Sequence, residues 1–282
     1  MLIALPFALA AVVGLQPQTD TTLTVPAGTR LEVSNFGGTT HITAWERNEV
    51  RIRAQHGSRD VIEIELRGSV LSVEAERGQG MPFVDYEITV PRAMPVEVDG
   101  VENEVTIEGV GGAIRVETVE GGITVRAAGG EVSLNSVEGD ITVDGGRTRI
   151  AITSVDGTVL VTGARGAVTV ETVDGDITLE NVESGDVDLG TVDGDVMYHG
   201  TVQDGGRYRL TTHDGDIVLA AAPGVNAAVS VATFDGTFEA DPAFSVQVSQ
   251  VRPGRRFSFT LGTGSARVEL ESFEGMIRLE KR

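Results

Sequence analysis

The chain has 282 residues, with 22 Lys and Arg against 42 Asp and Glu, a formal charge of −20, and no cysteine. A surface of that sign repels phosphate backbones and anionic lipid, so composition excludes nucleic acid as a partner and favours cations and basic surfaces. Without cysteine there is no disulfide, no thiolate nucleophile, no cysteine–zinc site and no diacylglycerol-anchored lipoprotein.

In chain order, the first element is the uncharged apolar run "LIALPFALAAVVGL" at residues 2–15. It is too short for a comfortable membrane span and fits the apolar region of a signal peptide over residues 1–16. It departs from that pattern in one respect, since no Lys or Arg precedes it. The expectation is export to the periplasm, the cell surface or the medium. No later segment is apolar enough to cross a bilayer, so the mature chain is expected to have no transmembrane span. Residues 20–95 follow as a β-rich opening region. Runs such as "RLEVSN", "THITAW", "EVRIRAQ", "VIEIEL" and "DYEITVP" alternate apolar with polar residues, the period of a strand. This region is expected to cap or begin whatever follows, and "PRAMP" at 91–95 breaks it from the repeats.

Residues 96–282 are dominated by one phrase. It reads "TVEGGITV" from Thr118, "SVEGDITV" from Ser136, "SVDGTVLV" from Ser154, "TVDGDITL" from Thr172 and "TVDGDVMY" from Thr191, with later copies "THDGDIVL", "TFDGTFEA" and "SFEGMIRL". Its glycines are Gly121, Gly139, Gly157, Gly175, Gly194, Gly215, Gly236 and Gly275. The first three intervals are eighteen residues, and the next three are nineteen, twenty-one and twenty-one. A period in that range marks a solenoid. Each period holds two alternating runs, for example Val132/Leu134 before the phrase and Ile141/Val143 after the glycine. Asp-Gly also signals a hairpin, so an antiparallel meander is the rival reading. A meander would set each phrase against a different partner, whereas a coil stacks the phrase on itself about 4.8 Å away. Self-stacking explains why glycine and Ser/Thr persist at fixed positions. The predicted fold is therefore all-β: a single-stranded parallel β-helix of 18–21 residues per coil, with closing coils after the interruption "VSQVRPGRRFSFTLGTG". Its flanking valines and isoleucines are expected to enter a narrow core.

Stacking would also align acids. One file is Glu120, Glu138, Asp156, Asp174, Asp193, Asp214, Asp235 and Glu274; a partial second file after the glycine is Asp140, Asp176, Asp195 and Asp216. Calcium favours several carboxylate and carbonyl oxygens, which makes Asp156, Asp174, Asp176, Asp193, Asp195 and Asp214 candidate ligands. The plainer alternative is a solvated acidic edge that keeps the rod soluble. The calcium-binding nonapeptide pattern matches poorly, because its paired glycines and G-x-D spacing are not repeated. No catalytic or cofactor-binding residue stands out. A carboxylate present in every coil singles out no reaction centre. His41, His56, His199 and His213 lack metal-ligand spacing, and "GTGSAR" at 262–267 is neither a nucleophile elbow nor a phosphate loop. His213 replaces valine in the phrase, which suggests packing. Phe36 and Trp45 could plug the first coil, and Trp45 could offer a sugar platform.

Four features together resemble a known family: "LEVSNFGGTTHITAWERNEVRIRAQ" at 31–55, "YEITVP" at 86–91, the ladder of "TVDGDI" phrases, and the closing "GTGSARVELESFEGMIRLEKR". This combination is similar to the bacterial "putative adhesin" group of exported β-strand-repeat proteins, a domain of unknown function. The resemblance implies a right-handed β-helix in the cell envelope or outside the cell, and it brings no catalytic residue to carry over. The functional expectation is a non-enzymatic envelope or secreted protein, adhesin-like or structural, whose partner is an envelope or extracellular polymer or protein. A polysaccharide-active β-helix enzyme and a calcium-stabilised surface rod are the alternatives.

Overall fold

Val, Ile and Thr alternate through most of this chain, and β-branched residues suit a pleated, half-buried surface. The computed structural model describes residues 18–76, 81–222, 224–244 and 255–282; the expected signal peptide lies outside the described residues. No described helix is long and apolar enough to cross a membrane. Strand is the dominant element of the described chain, whose one helical piece is a 3-10 turn at Pro242–Phe244.

The chain opens with β1 (Gln18–Thr24), β2 (Arg30–Trp45) and β3 (Glu49–Gln55). The hairpin of β4 (Val61–Arg67) and β5 (Val70–Glu76) follows, then β6 (Asp85–Pro91) and β7 (Val96–Glu108). Six coils come next, each with two strands on opposite walls. They are β8 (Ile114–Glu120) with β9 (Ile123–Arg126), β10 (Val132–Glu138) with β11 (Ile141–Asp144), and β12 (Ile150–Thr153) with β13 (Val159–Thr162). The remaining three are β14 (Val168–Glu171) with β15 (Ile177–Val182), β16 (Asp186–Gly190) with β17 (Val196–Gly200), and β18 (Arg207–Asp214) with β19 (Ile217–Ala221). The chain closes with β20 (Ala227–Ala240), β21 (Arg255–Leu261) and β22 (Ala266–Lys281).

Successive coils pair in parallel and in register. Val132 lies beside Ile114 and Ile150 on one wall, and Ile141 lies beside Ile123 and Val159 on the other. The meander is thereby ruled out. Ile114, Val116, Ile123 and Val125 of one coil are all buried, and so are their equivalents up the stack. Each such side chain stabilises by roughly 1.5–3 kcal/mol when fully buried, but one coil has nothing to bury against without its neighbours. The corner before β18 is longer than the others, and two aromatic rings fill it. Tyr198 and Tyr208 stack edge to face at 5.6 Å; the Tyr198 hydroxyl donates to the Thr201 carbonyl at 3.0 Å and the Tyr208 hydroxyl to the Ser184 carbonyl at 2.7 Å. Burial raises both phenol pKa values.

The two ends are threaded in a way the spacing does not announce. β2 is itself a coil, paired in parallel with β7 on one side and with β5 and β6 on the other. The opening region thus takes part in the stack, and "PRAMP" is a corner: Arg92 N–H donates to Trp45 and Gly111 N–H donates to Arg92. At the other end, β22 pairs with β18 and β19 on one side and with β20 on the other. The last coil in sequence is therefore next to last in space. Gly275, not Gly236, sits on Gly215, which corrects the simple reading of the twenty-one-residue interval. Antiparallel strands close both ends, β4 on β5 and β21 on β20. An open parallel edge is a template for unwanted pairing, and a reversed strand blunts it.

Candidate functional site

The repeated phrase can be decoded atom by atom. Its Ser/Thr takes the last inward position before the corner and is buried in every copy. In six of the eight copies the hydroxyl then satisfies a corner carbonyl, Thr172 and Thr233 being the exceptions: Thr118 donates to Glu120 O at 3.0 Å, Ser136 to Glu138 O at 3.2 Å, and Thr212 to Gly194 O of the preceding coil at 3.0 Å. The glycine turns the chain with φ near +130° at Gly157, where an added Cβ would lie 2.5 Å from the Gly139 carbonyl oxygen. Only glycine fits there.

The residue after the glycine acts between coils. Asp140 Oδ1 accepts the Thr158 N–H of the next coil at 2.9 Å, Asp176 accepts Asp195 N–H at 2.8 Å, and Asp195 accepts Asp216 N–H at 2.8 Å. Asp216 accepts Met276 N–H at 2.7 Å, which carries the device across the threaded coil. Asp85 does the same for Thr39. These carboxylates tie a corner amide that the strand ladder leaves free.

The valine inside the phrase does not enter the core, contrary to expectation. Val101, Val119, Val137, Val155, Val173 and Val192 are 36–49% exposed. The buried Ser/Thr occupies the inward slot, and the corner then carries two consecutive residues outward before the glycine. Register puts these valines in one straight file. The file continues to Phe36 at the opening end and to His213, Phe273 and Phe234 at the closing end. Ten rungs at the strand spacing make a stripe of roughly 43 Å. Aromatic rings finish it at both ends. Phe36 meets Phe83 edge to face at 6.2 Å. His213 stacks on Phe273 at 4.6 Å, and Phe273 stacks on Phe234 at 4.7 Å with planes 6° apart. His213 thus has the packing role expected of it, but on the surface. Beside the closing aromatics lies an open groove of about 570 Å³, lined also by Arg209, Thr211, Arg256 and Glu271.

Two rows flank the file. On one side lies the first acidic file, which holds the calcium candidates Asp156, Asp174, Asp193 and Asp214 one rung apart. On the other lie Asp99, Glu117, Asn135, Thr153, Glu171 and Gly190 in register. Neither row contains a Lys or Arg from Asp99 to Asp214. The remaining candidates, Asp176 and Asp195, belong to the intercoil hydrogen bonds. Among the described residues, no three His, Asp or Glu side chains gather to hold a metal.

The other singled-out residues are scattered. His56 bonds Thr19 and Gly57. Trp45 Nε1 donates to Glu49 O at 2.7 Å, with the Arg47 guanidinium 5.1 Å from its ring, so Trp45 and Phe36 have different partners and form no common plug. Ser265 of "GTGSAR" donates to Asp204 at 2.6 Å. That bond, with one from Asn226, holds the Asp204 carboxyl below its usual range and ties two corners together.

No curated protein matches the chain. Among solved structures, one similar fold is a "putative cell adhesion protein" from Clostridium sporogenes. It has 12% identity and a TM-score of 0.25, over 94% of this chain and 100% of that one. Another is a "putative adhesin" from Parabacteroides merdae, with 10% identity and a TM-score of 0.30, over 93% of this chain and 95% of that one. Likeness at that level transfers nothing of their descriptions. The family comparison is decisive: the Toastrack DUF4097 model matches residues 8–280, and the chain belongs to that family.

Proposed function

We propose that this protein is a non-enzymatic binding or scaffold rod of the cell envelope, adhesin-like in use, with the exposed apolar file as its contact surface. The observation that carries the reading is the file itself. Ten consecutive rungs hold an apolar or aromatic side chain outward at a position where packing does not require one. Contiguous exposed apolar surface of this kind marks an interaction site. The Ser/Thr of the phrase and the aspartate after its glycine hold the corner, which leaves recognition to the valine and the acid that project from it. In this reading the chain is exported, its partner is an envelope or extracellular polymer or protein, and the coil winds right-handed, as parallel crossovers almost always do.

The test is binding of the purified chain to envelope fractions and glycan arrays, with and without calcium. Saturable binding that is lost when the file valines are changed supports the proposal. Glycan turnover abolished by one point substitution would favour the polysaccharide-active enzyme instead. A rise in melting temperature at millimolar calcium, reversed by chelator, would favour the calcium-stabilised rod.

A further inference from the structure

We infer that the file receives the apolar face of a basic amphipathic α-helix from a partner polypeptide, lying along the rod. This rests on the reading of the file as the contact surface and goes further by naming what fits it. The first argument is spacing. The rungs recur at about 4.8 Å. One apolar residue per helical turn advances about 5.4 Å, so a helix slips by only roughly 3 Å over the five intervals from Val101 to Val192. Centred on the stretch, that misfit is about 1.5 Å at each end, within the reach of a side chain. An extended strand repeats its same-face side chains every ~6.8 Å and falls out of step after two rungs. The valine stretch spans about 24 Å, the length of a helix of roughly 16 residues.

The second argument is charge. The file is bracketed by Glu120, Glu138, Asp156, Asp174 and Asp193 on one flank and by Asp99 and Glu171 on the other, with no base in either row; Glu117, in the second row, is already ion-paired with Arg115. Of the side chains in the first row, none is spent on a hydrogen bond within the rod, unlike Asp176 or Asp195. An apolar seam with Lys or Arg along its flanks meets this pattern rung for rung. A second copy of the chain does not, because it offers acids on both flanks and a net charge of −20. Helix-in-groove recognition uses the same one-anchor-per-turn logic.

The experiment uses the full-length chain and three labelled 18-residue peptides read by fluorescence anisotropy and circular dichroism. One carries Leu and Lys in an amphipathic helical pattern, one Leu and Glu in the same pattern, and one Lys with Ser in place of Leu. The Leu/Lys peptide is expected to bind, gain helix, and bind less tightly as salt rises. Two variants then test the surface. The first is Val137→Thr, Val155→Thr, Val173→Thr and Val192→Thr, which keeps shape and strand propensity. The second is Glu138→Gln, Asp156→Asn, Asp174→Asn and Asp193→Asn. Each is expected to weaken binding at least tenfold while melting like the parent chain. Equal binding of the Ser/Lys peptide, or undiminished binding by the threonine variant, would overturn the inference, because charge alone would then suffice. Self-association of the parent chain that the threonine variant abolishes would name a second copy as occupant; it would sink this inference but keep the file as the contact surface. Envelope binding untouched by the threonine variant would instead sink the functional proposal.

Discussion

At the scale of single residues, the phrase divides its labour cleanly. In most copies Ser/Thr closes a carbonyl, glycine makes the turn, aspartate where it follows the glycine closes an amide one coil away, and valine is left facing water. Two consequences can be measured. Gly157→Ala forces a side chain into a backbone conformation that belongs to glycine and against the Gly139 carbonyl 2.5 Å away. It should cost about 2 kcal/mol or more in urea denaturation. Asp176→Ala removes the acceptor for the Asp195 amide. It should cost about 1 kcal/mol, since that amide is exposed enough for water to replace the carboxylate in part. The cost should be the same in calcium and in chelator if the carboxylate works as a hydrogen-bond acceptor. A cost seen only in calcium would return Asp176 to the list of ligands.

At the scale of elements, the threaded ends decide which strands are interior. By position in the sequence β22 is the terminal strand, and a terminal strand frays. By position in space it lies between β18/β19 and β20, and Leu270 is buried there beside Leu210 and Val231. Leu270→Ala should therefore cost about 2–5 kcal/mol, as much as Leu134→Ala in the middle of the rod. A cost below 1 kcal/mol at Leu270 with the full cost at Leu134 would contradict the threaded order. The same insertion at the opening end makes β2 a coil rather than a cap. There Asn103 replaces the phrase glycine, and a buried network takes over the corner, with Asn35 Nδ2 donating to Asn103 Oδ1 at 3.1 Å and to Val84 O at 2.9 Å.

At the scale of the whole molecule, the rod is close to one-dimensional: each coil touches only the coils above and below. Removing one full period should therefore be tolerated. Deletion of residues 136–153 joins Asn135 to Ser154, restores the same register on both walls, and shortens the stack by one rung. The shortened chain should fold, with a urea m-value reduced in proportion to the lost surface. Deletion of only nine residues would put one wall's sequence on the other wall and should abolish cooperative unfolding. The acidic surface also belongs to this scale. Like charges a rung apart repel modestly in water, and added salt relieves part of that repulsion.

By itself the sequence determined the coil, its period and its parallel self-stacking. Those are properties of repetition: an apolar pair at Val132/Leu134 and another at Ile141/Val143, returning at constant spacing, can be buried only against their own copies. It also marked the glycine corner and the acid files, since both are read directly from residue type. Only the tertiary structure decided the rest. Alternation with period two fails at a corner, where successive residues can both face outward, so nothing in "TVDGD" told that the valine is exposed and the threonine buried. The partner of Asp176 is an amide nineteen residues on, a contact made by stacking and invisible to local pattern. The order of the end coils is likewise set by pairing between distant strands, where β22 closes on β18 rather than following β20. The contact file exists for the same reason: a valine that looks like core in one repeat becomes a surface only when its copies are laid one above another.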